Sequence, residues 1–277
     1  MNIKKMRSIL LPVLSFAGLI VLFFTGFSSF TEKKKTGPNT LFTAGVGAGL
    51  IGGLYDGFYP YTALKQHGNF GLGAPDKLDG ELMVFEGKVY QTQHTGKTFI
   101  PGDKELTPFA MVNFFHADTT IRLHKSITKA ALFSFLDSLL PATNNMYAIH
   151  IKGTFSALKT RAFPPVRQHE HTPLSDMLSL QRFFEFKACQ GDLIGYRLPV
   201  FMDNTNIAGY HFHYLSQQKN AGGHMIDLAA ADITIEIQQL NSYTIALPAT
   251  KDFQEFDFRK NREKDIKDVE RGGKSSN

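Results

Sequence analysis

The stretch GYHFHYLSQQKNAGGHMID, residues 209–227, carries the densest chemistry in this chain. His211 and His213 stand two apart among Tyr210, Phe212 and Tyr214, which favour a strand. In a strand, residues i and i+2 share a face. A polar, glycine-ended loop follows at 216–223, and His224 opens the next apolar run. A hairpin would set His224 beside the His-x-His pair. Three imidazoles from two adjacent strands form a facial ligand set for a divalent metal. Such a set keeps positions open for water or substrate, as catalytic sites do. The ligands bind as neutral imidazoles, so metal should be lost on acidification. The same spacing also suits histidines that only pack. Cys189 is the sole cysteine, so an internal disulfide, Cys-rich zinc modules and Fe–S clusters are excluded. Any metal must rest on histidine and carboxylate.

Other candidates read more weakly. His169 and His171 sit in the polar, Pro-flanked RQHEHTPL, which reads as solvated loop. His67, His94, His116, His124 and His150 are isolated and read as structural. Glu81 follows the Asp79-Gly80 turn, and locally it reads as a hairpin-edge carboxylate. Arg161 lies among mostly uncharged residues ahead of Pro164-Pro165, and reads as an arginine covering apolar surface. Local pattern marks neither as catalytic.

Strands must position these groups. ELMVFEGKVYQ, 81–91, reads as a hairpin turning at Glu86-Gly87. Further strands are expected at 109–116, 120–123, 183–187, 192–198, 210–215, 224–228 and 232–239, with a strand pair at 146–160 turning at Lys152-Gly153. Short helical stretches are expected within 44–54 and 62–67. Residues 128–140 have near-helical apolar spacing and stop before Pro141. The fold class is therefore α+β, with a weak echo between Gly80-Glu81-Leu82 and Gly191-Asp192-Leu193 that suits a split near residue 165. The expected layout is an export signal or membrane anchor at 1–30 and a linker at 31–40. An N-terminal α+β half spans 41–165, and a β-rich half with the His-bearing hairpin spans 166–250. A charged tail, 251–277, reads as a solvated amphipathic helix.

The N-terminal segment changes the meaning of the charge. Lys4, Lys5 and Arg7 precede an uncharged run from Ile9 to Phe24, the pattern of a secretory signal, and the stretch Ile9–Phe30 is also long enough to span a bilayer. The chain is thus expected outside the cytoplasm, periplasmic or extracellular, or held at a membrane by an uncleaved N-terminus. Those three cations supply most of the formal charge of +5 over 277 residues. What remains argues against a nucleic-acid partner, which needs an aromatic-interleaved basic patch.

Taken together, GLYDG (53–57), HGNFGLG (67–73), LDGEL (78–82), TPFAMVNFF (107–115), YAIHIKGTFSALKTR (147–161), the histidine segment and VERGG (269–273) resemble the acetolactate decarboxylase family. The resemblance covers roughly 41–273. It implies two related α+β halves, usually dimeric, and a zinc ion on His211, His213 and His224. It also implies carboxylates near the metal at Glu81 and, from the tail, Glu270, with a site arginine at Arg161. The implied activity is a carboxy-lyase reaction in acetoin formation, on a small 2-hydroxy-3-oxo acid. Ala74 departs from the threonine often found four residues before LDGEL, and the export-type N-terminus departs from the cytoplasmic members. The alternatives are another three-histidine metal enzyme, a dioxygenase or hydrolase, and an exported, non-catalytic binding protein of the same fold. Presence of Glu81, Arg161 and all three histidines argues against a decayed enzyme.

Overall fold

The computed structural model describes residues 39–167 and 171–270. The N-terminal signal or anchor, most of the linker, His169 and the last three residues of VERGG lie outside the described residues.

The chain opens with β1 (Thr40–Ala44), α1 (Gly47–Ile51), β2 (Tyr59–Pro60), α2 (Tyr61–Leu64), β3 (Phe70–Ala74), β4 (Glu81–Phe85), β5 (Lys88–Thr92), β6 (Thr98–Phe99), β7 (Leu106–Thr107) and β8 (Phe109–Asn113). It continues with β9 (Thr119–Leu123), β10 (Ile127–Thr128), α3 (Lys129–Leu139), β11 (Met146–Ala162), β12 (Arg182–Leu198), β13 (Gly209–Ser216), β14 (Gly222–Leu240), β15 (Ser242–Ala246), α4 (Lys251–Glu255) and α5 (Glu263–Glu270). The result is a mixed α/β structure that is mostly sheet. No helix of the described residues is long and apolar enough to cross a membrane.

Seven strands form the first sheet in the order β15-β1-β8-β3-β4-β5-β6. The β4–β5 turn places Glu86 at φ 51° and Gly87 at φ 74°, the positive pair that a two-residue hairpin needs. The second sheet runs β10-β14-β11-β12-β13, and β13 pairs again with β14, so this sheet closes on itself. Its interior holds Phe155, Phe212, Tyr214 and Leu193, with α3 contributing Leu132 and Leu136. Each such side chain contributes about 2 kcal/mol on burial. Thr128 caps α3, its Oγ1 accepting from Ala131 N at 3.4 Å. The outer face of the second sheet meets the first sheet across a shared core that includes Leu72, Met83, Ile194 and Tyr196. The sheets do not follow chain order. β11 lies inside the second sheet, while β15 returns to run parallel to β1 at the edge of the first.

Three sequence expectations change. The strand pair expected at 146–160 is one strand, β11. Gly153 does not turn the chain; a Cβ there would lie 2.8 Å from the Ile233 Cα, so glycine permits close passage of β14. The separate strands at 183–187 and 192–198 are joined in β12, with Ala188 at φ 48° marking an irregularity within it. Those at 224–228 and 232–239 are joined in β14. Long strands with local distortions resemble paired strands when only the pattern is read.

His150, on β11, is a buried hub. Its Nε2 meets Asp192 Oδ1 at 2.9 Å and its Nδ1 meets Glu236 Oε2 at 2.8 Å. Lys219 reaches Asp192, and Lys152 reaches Glu236. Burial pushes the Asp192 carboxyl up, but hydrogen bonds from His150 and Lys219 outweigh it and hold the group below its ordinary value of 3.8. A depressed carboxylate stabilises the fold above its unfolded pKa, and that contribution is lost as pH falls through the folded value. Asp192→Asn should therefore cost about 2 kcal/mol at neutral pH. The gap to the parent should close below pH 3.8. Denaturant melts at both pH values check this.

Candidate active site

Alternation along β13 separates two jobs. Phe212 and Tyr214 face the closed interior of the second sheet, while His211 and His213 face the first sheet. On β14, His224 pairs directly with His213, and on its other side with Arg161 of β11. Gly223 sits at φ 125°, where a Cβ would come within 2.9 Å of Thr160 Oγ1. Thr160 Oγ1 donates to the Gly222 carbonyl at 2.9 Å, tying this corner down. The β11 register slips between Lys159 and Thr160, next to Arg161. Such a bulge re-aims the side chain that follows it.

The first sheet supplies the opposite wall. The Asp79 carboxylate accepts from Gln91 Nε2 at 2.9 Å and Gln93 Nε2 at 2.6 Å, which pins the turn into β4. Glu81 opens that strand. Arg161 Nη1 donates to Glu81 Oε1 at 2.6 Å, and His213 Nε2 lies 3.3 Å from Glu81 Oε2. The next carbonyl, Leu82 O, accepts from His213 Nδ1 at 2.9 Å. From the tail, Glu270 Oε2 stands 3.7 Å from His224 Nε2. All six residues expected from the sequence therefore meet in one place.

The three histidines present ligand atoms that all lie within 4.8 Å of one another, and each residue is buried. Because Leu82 O can only accept, His213 Nδ1 carries the proton, and its neutral Nε2 is a lone pair facing inward. That lone pair faces His211 Nε2 at 3.2 Å and a Glu81 oxygen at 3.3 Å. The Nδ1 of His211 has no hydrogen-bond partner. Converging acceptors in a buried site fit a cation held between them. Burial, reinforced by the charge of Arg161, pushes His213 down to about 3, and holds His211 and His224 well below their ordinary value. The imidazoles are thus neutral, the ligand form, at and below neutral pH.

The carboxyls shift the other way. Burial pushes Glu81 up to about 7 against the pull of Arg161. Burial and the neighbouring Glu81 push Glu270 up to about 8 against the pull of Arg161 and Lys129. Two carboxyls able to hold protons near neutrality therefore flank a fixed guanidinium. Arg161 itself lies over the Phe163 ring, 4.6 Å from Cζ to centroid.

These groups line a small pocket of about 30 Å³. Its polar side is the histidine, glutamate and arginine cluster. Its apolar side comes from Leu50 and Ile51 of α1, Phe109, Leu174, Ile207 and Val269, with Ala74 in the wall. Sequence reading missed this apolar side, because it is assembled from short segments whose pattern is that of ordinary core. The remaining histidines play other parts. His171 Nδ1 donates to Gly53 O at 3.1 Å, and His67 stacks on Phe42 with centroids 3.7 Å apart.

Residues 41–260 match the family model described as alpha-acetolactate decarboxylase. The chain is 38% identical over 228 residues to the alpha-acetolactate decarboxylase of Methanosarcina mazei, covering 80% of this chain and 77% of that one. It is 31% identical over 211 residues to that of Bacillus licheniformis, covering 76% and 83%. The crystal structure of alpha-acetolactate decarboxylase from Bacillus subtilis strain 168 superposes with a TM-score of 0.81 at 28% identity, over 85% of this chain and all of that one.

Proposed function

This chain belongs to the alpha-acetolactate decarboxylase family, and from that premise we propose that it is a metal-dependent carboxy-lyase that converts 2-acetolactate to acetoin and CO2. The observation that carries the reading is the meeting of Glu81, Arg161 and three lone-pair-bearing histidines at the junction of the two sheets.

His211, His213 and His224 would hold the metal, and zinc suits an all-imidazole set that leaves positions open. When bound, the metal supplies Lewis-acid stabilisation for negative charge that develops on substrate oxygens. The chain's own groups do the rest. The substrate carries a ketone next to the carbon that bears hydroxyl, methyl and carboxylate. Breaking the bond to the carboxylate releases CO2 and leaves an electron pair, which the adjacent ketone takes up as an enediolate. Arg161, fixed by Glu81 and Phe163, presents a planar fork of donors to the carboxylate and then to the enediolate. Glu81 delivers a proton to the carbon that lost CO2, completing acetoin. Its raised pKa means that it carries that proton close to neutral pH. Glu81 stands on a pinned strand, so one face of the enediolate is protonated and one acetoin enantiomer forms. Glu270 closes the pocket beside His224, and the apolar wall excludes water and takes the two methyl groups.

Purified protein should release CO2 and chiral acetoin from racemic acetolactate, and chelation should stop it until zinc is restored. No acetoin from zinc-loaded protein would falsify the assignment. We also propose that residues 1–30 export the chain, on the strength of the cationic start and uncharged run. N-terminal sequencing of the mature protein tests this, an intact Met1 in the soluble fraction counting against it.

A further inference from the structure

The pocket is closed from one side by the C-terminal segment that leads to Glu270. After β15, residues 247–270 form a strap that carries α4 and α5 and brings Val269 and Glu270 to the pocket. Among the described residues, the loop and cap backbone hydrogen bonds of its helices run within the strap, Gln254 N to Thr250 O at 3.1 Å and Ile266 N to Arg262 O at 2.9 Å. A groove of about 580 Å³, lined in part by Gly52, His171, Phe256, Lys260 and Arg262, runs where the strap lies on the body. Side chains at a few points therefore decide where α5 sits. Ile266 and Val269 are two of them, buried in the same core as Leu174 and Met177.

Arg262, at the start of α5, is the third. It is a charged residue only 7% exposed. Its guanidinium lies 5.4 Å from the Phe256 ring centroid. It also rests, together with Phe256, over the bare backbone of Gly52, where a Cβ would come within 2.3 Å of Phe256 Cζ, 2.7 Å of Arg262 Cζ and 2.8 Å of Nε. Gly52 has φ −87°, which any residue adopts, so its missing side chain answers this close approach and no turn requirement. Arg262 Nη1 reaches Asp265 Oδ2 in the first turn of α5 at 3.5 Å, and its Nε has no hydrogen-bond partner. A buried arginine carries a desolvation cost, and here it sits where the helix that bears Glu270 begins.

We propose that Arg262 is a positioning residue for Glu270: seated on Gly52 and Phe256, it sets the tilt of α5 and so the place of the Glu270 carboxyl beside His224. The inference rests on the reading that Glu270 acts in the decarboxylation. The lever is about 12 Å long for eight helical residues. A tilt of about 5° over that length moves the carboxyl by about 1 Å, enough to cost about 10²-fold in rate.

The test compares Arg262→Ala, Glu270→Gln, the double variant and Gly52→Ala in the full chain, each loaded with zinc. Arg262→Ala should lower kcat on acetolactate by about 10²-fold. The double variant should fall no further than Glu270→Gln alone, because one substitution acts through the other. Gly52→Ala should reproduce the loss with the arginine present. Amide exchange over 263–270 should quicken in Arg262→Ala while exchange in β11 and β14 stays unchanged. Multiplied effects in the double variant, a kcat within about twofold of the parent, or unchanged exchange over 263–270 would each overturn the proposal. If exchange in β11 and β14 shows that Arg262→Ala has not folded, Gly52→Ala decides by the same measures. The exchange readout needs no substrate, so it still tests the seating of α5 if the parent enzyme makes no acetoin and the functional reading itself fails.

Discussion

Glu81→Gln should lower kcat for acetoin formation by about 10² to 10⁴-fold, the range for loss of a positioned proton donor, and leave metal content unchanged. Glutamine keeps the shape of the side chain, so β4 and its pinned turn have no cause to move. Its amide can still offer an oxygen to Arg161 Nη1, which now bonds Glu81 Oε1 at 2.6 Å. It cannot give up a proton at any working pH. The three histidines keep their places, since His213 is oriented by the Leu82 carbonyl and not by Glu81 alone. An interaction used only in the transition state shows as a fall in kcat with little change in KM. Steady-state kinetics with chiral analysis of the acetoin measures both. A variant within about threefold of parental kcat, the scatter expected of a neutral change, would take the proton-donor role away from Glu81. Residual acetoin of mixed handedness would show solvent protonating the enediolate once the directed donor is gone.

His213→Ala should abolish stable metal binding and activity together. His213 is one of three rings whose centroids stand 5.0 Å (to His211), 5.3 Å (to His224) and, between the other two, 4.9 Å apart. It is also the histidine tied to the first sheet, through the Leu82 carbonyl. The substitution removes a ligand, strands that carbonyl and leaves Glu81 facing a void. Loss of an outer partner of a ligand already costs about 10 to 100-fold in metal affinity, and loss of the ligand itself costs more. Elemental analysis after dialysis and competition with a chromogenic chelator measure the effect. Stoichiometric metal in His213→Ala would mean that the histidines pack together without serving as ligands.

The meeting of the three histidines was legible because it is local. An alternating strand, a glycine-ended loop and a third histidine determine that His213 and His224 meet across one antiparallel pair. Glu81 and Arg161 are a different matter. They come from different sheets, 80 positions apart in sequence, and meet only because the sheets stack. No periodicity carries that information, and family resemblance alone singled them out. The same holds for Glu270, whose helix reads as a solvated tail until Ile266 and Val269 are seen in the core. The long strands β11, β12 and β14 read as broken in the sequence, because glycines and a bulge look like turns when their partner strands are not known. Arg262 left no trace in pattern at all, since its seat is an absence, the missing Cβ of Gly52.

The hydrogen bond from His213 to Leu82 O spans 131 residues of chain, and Arg161 to Glu81 spans 80. Both cross from one sheet to the other, so neither exists until the sheets have docked. Contacts of such sequence separation form late, after most of the loop-closure entropy has been lost. The three histidines already share one hairpin of the second sheet, so docking adds what the first sheet contributes, the Leu82 carbonyl that orients His213 and the Glu81 carboxyl beside it. Under the metal-dependent function proposed above, binding would add its free energy most fully to the docked state, where His213 is held by Leu82 O, and would make the last step of assembly harder to reverse.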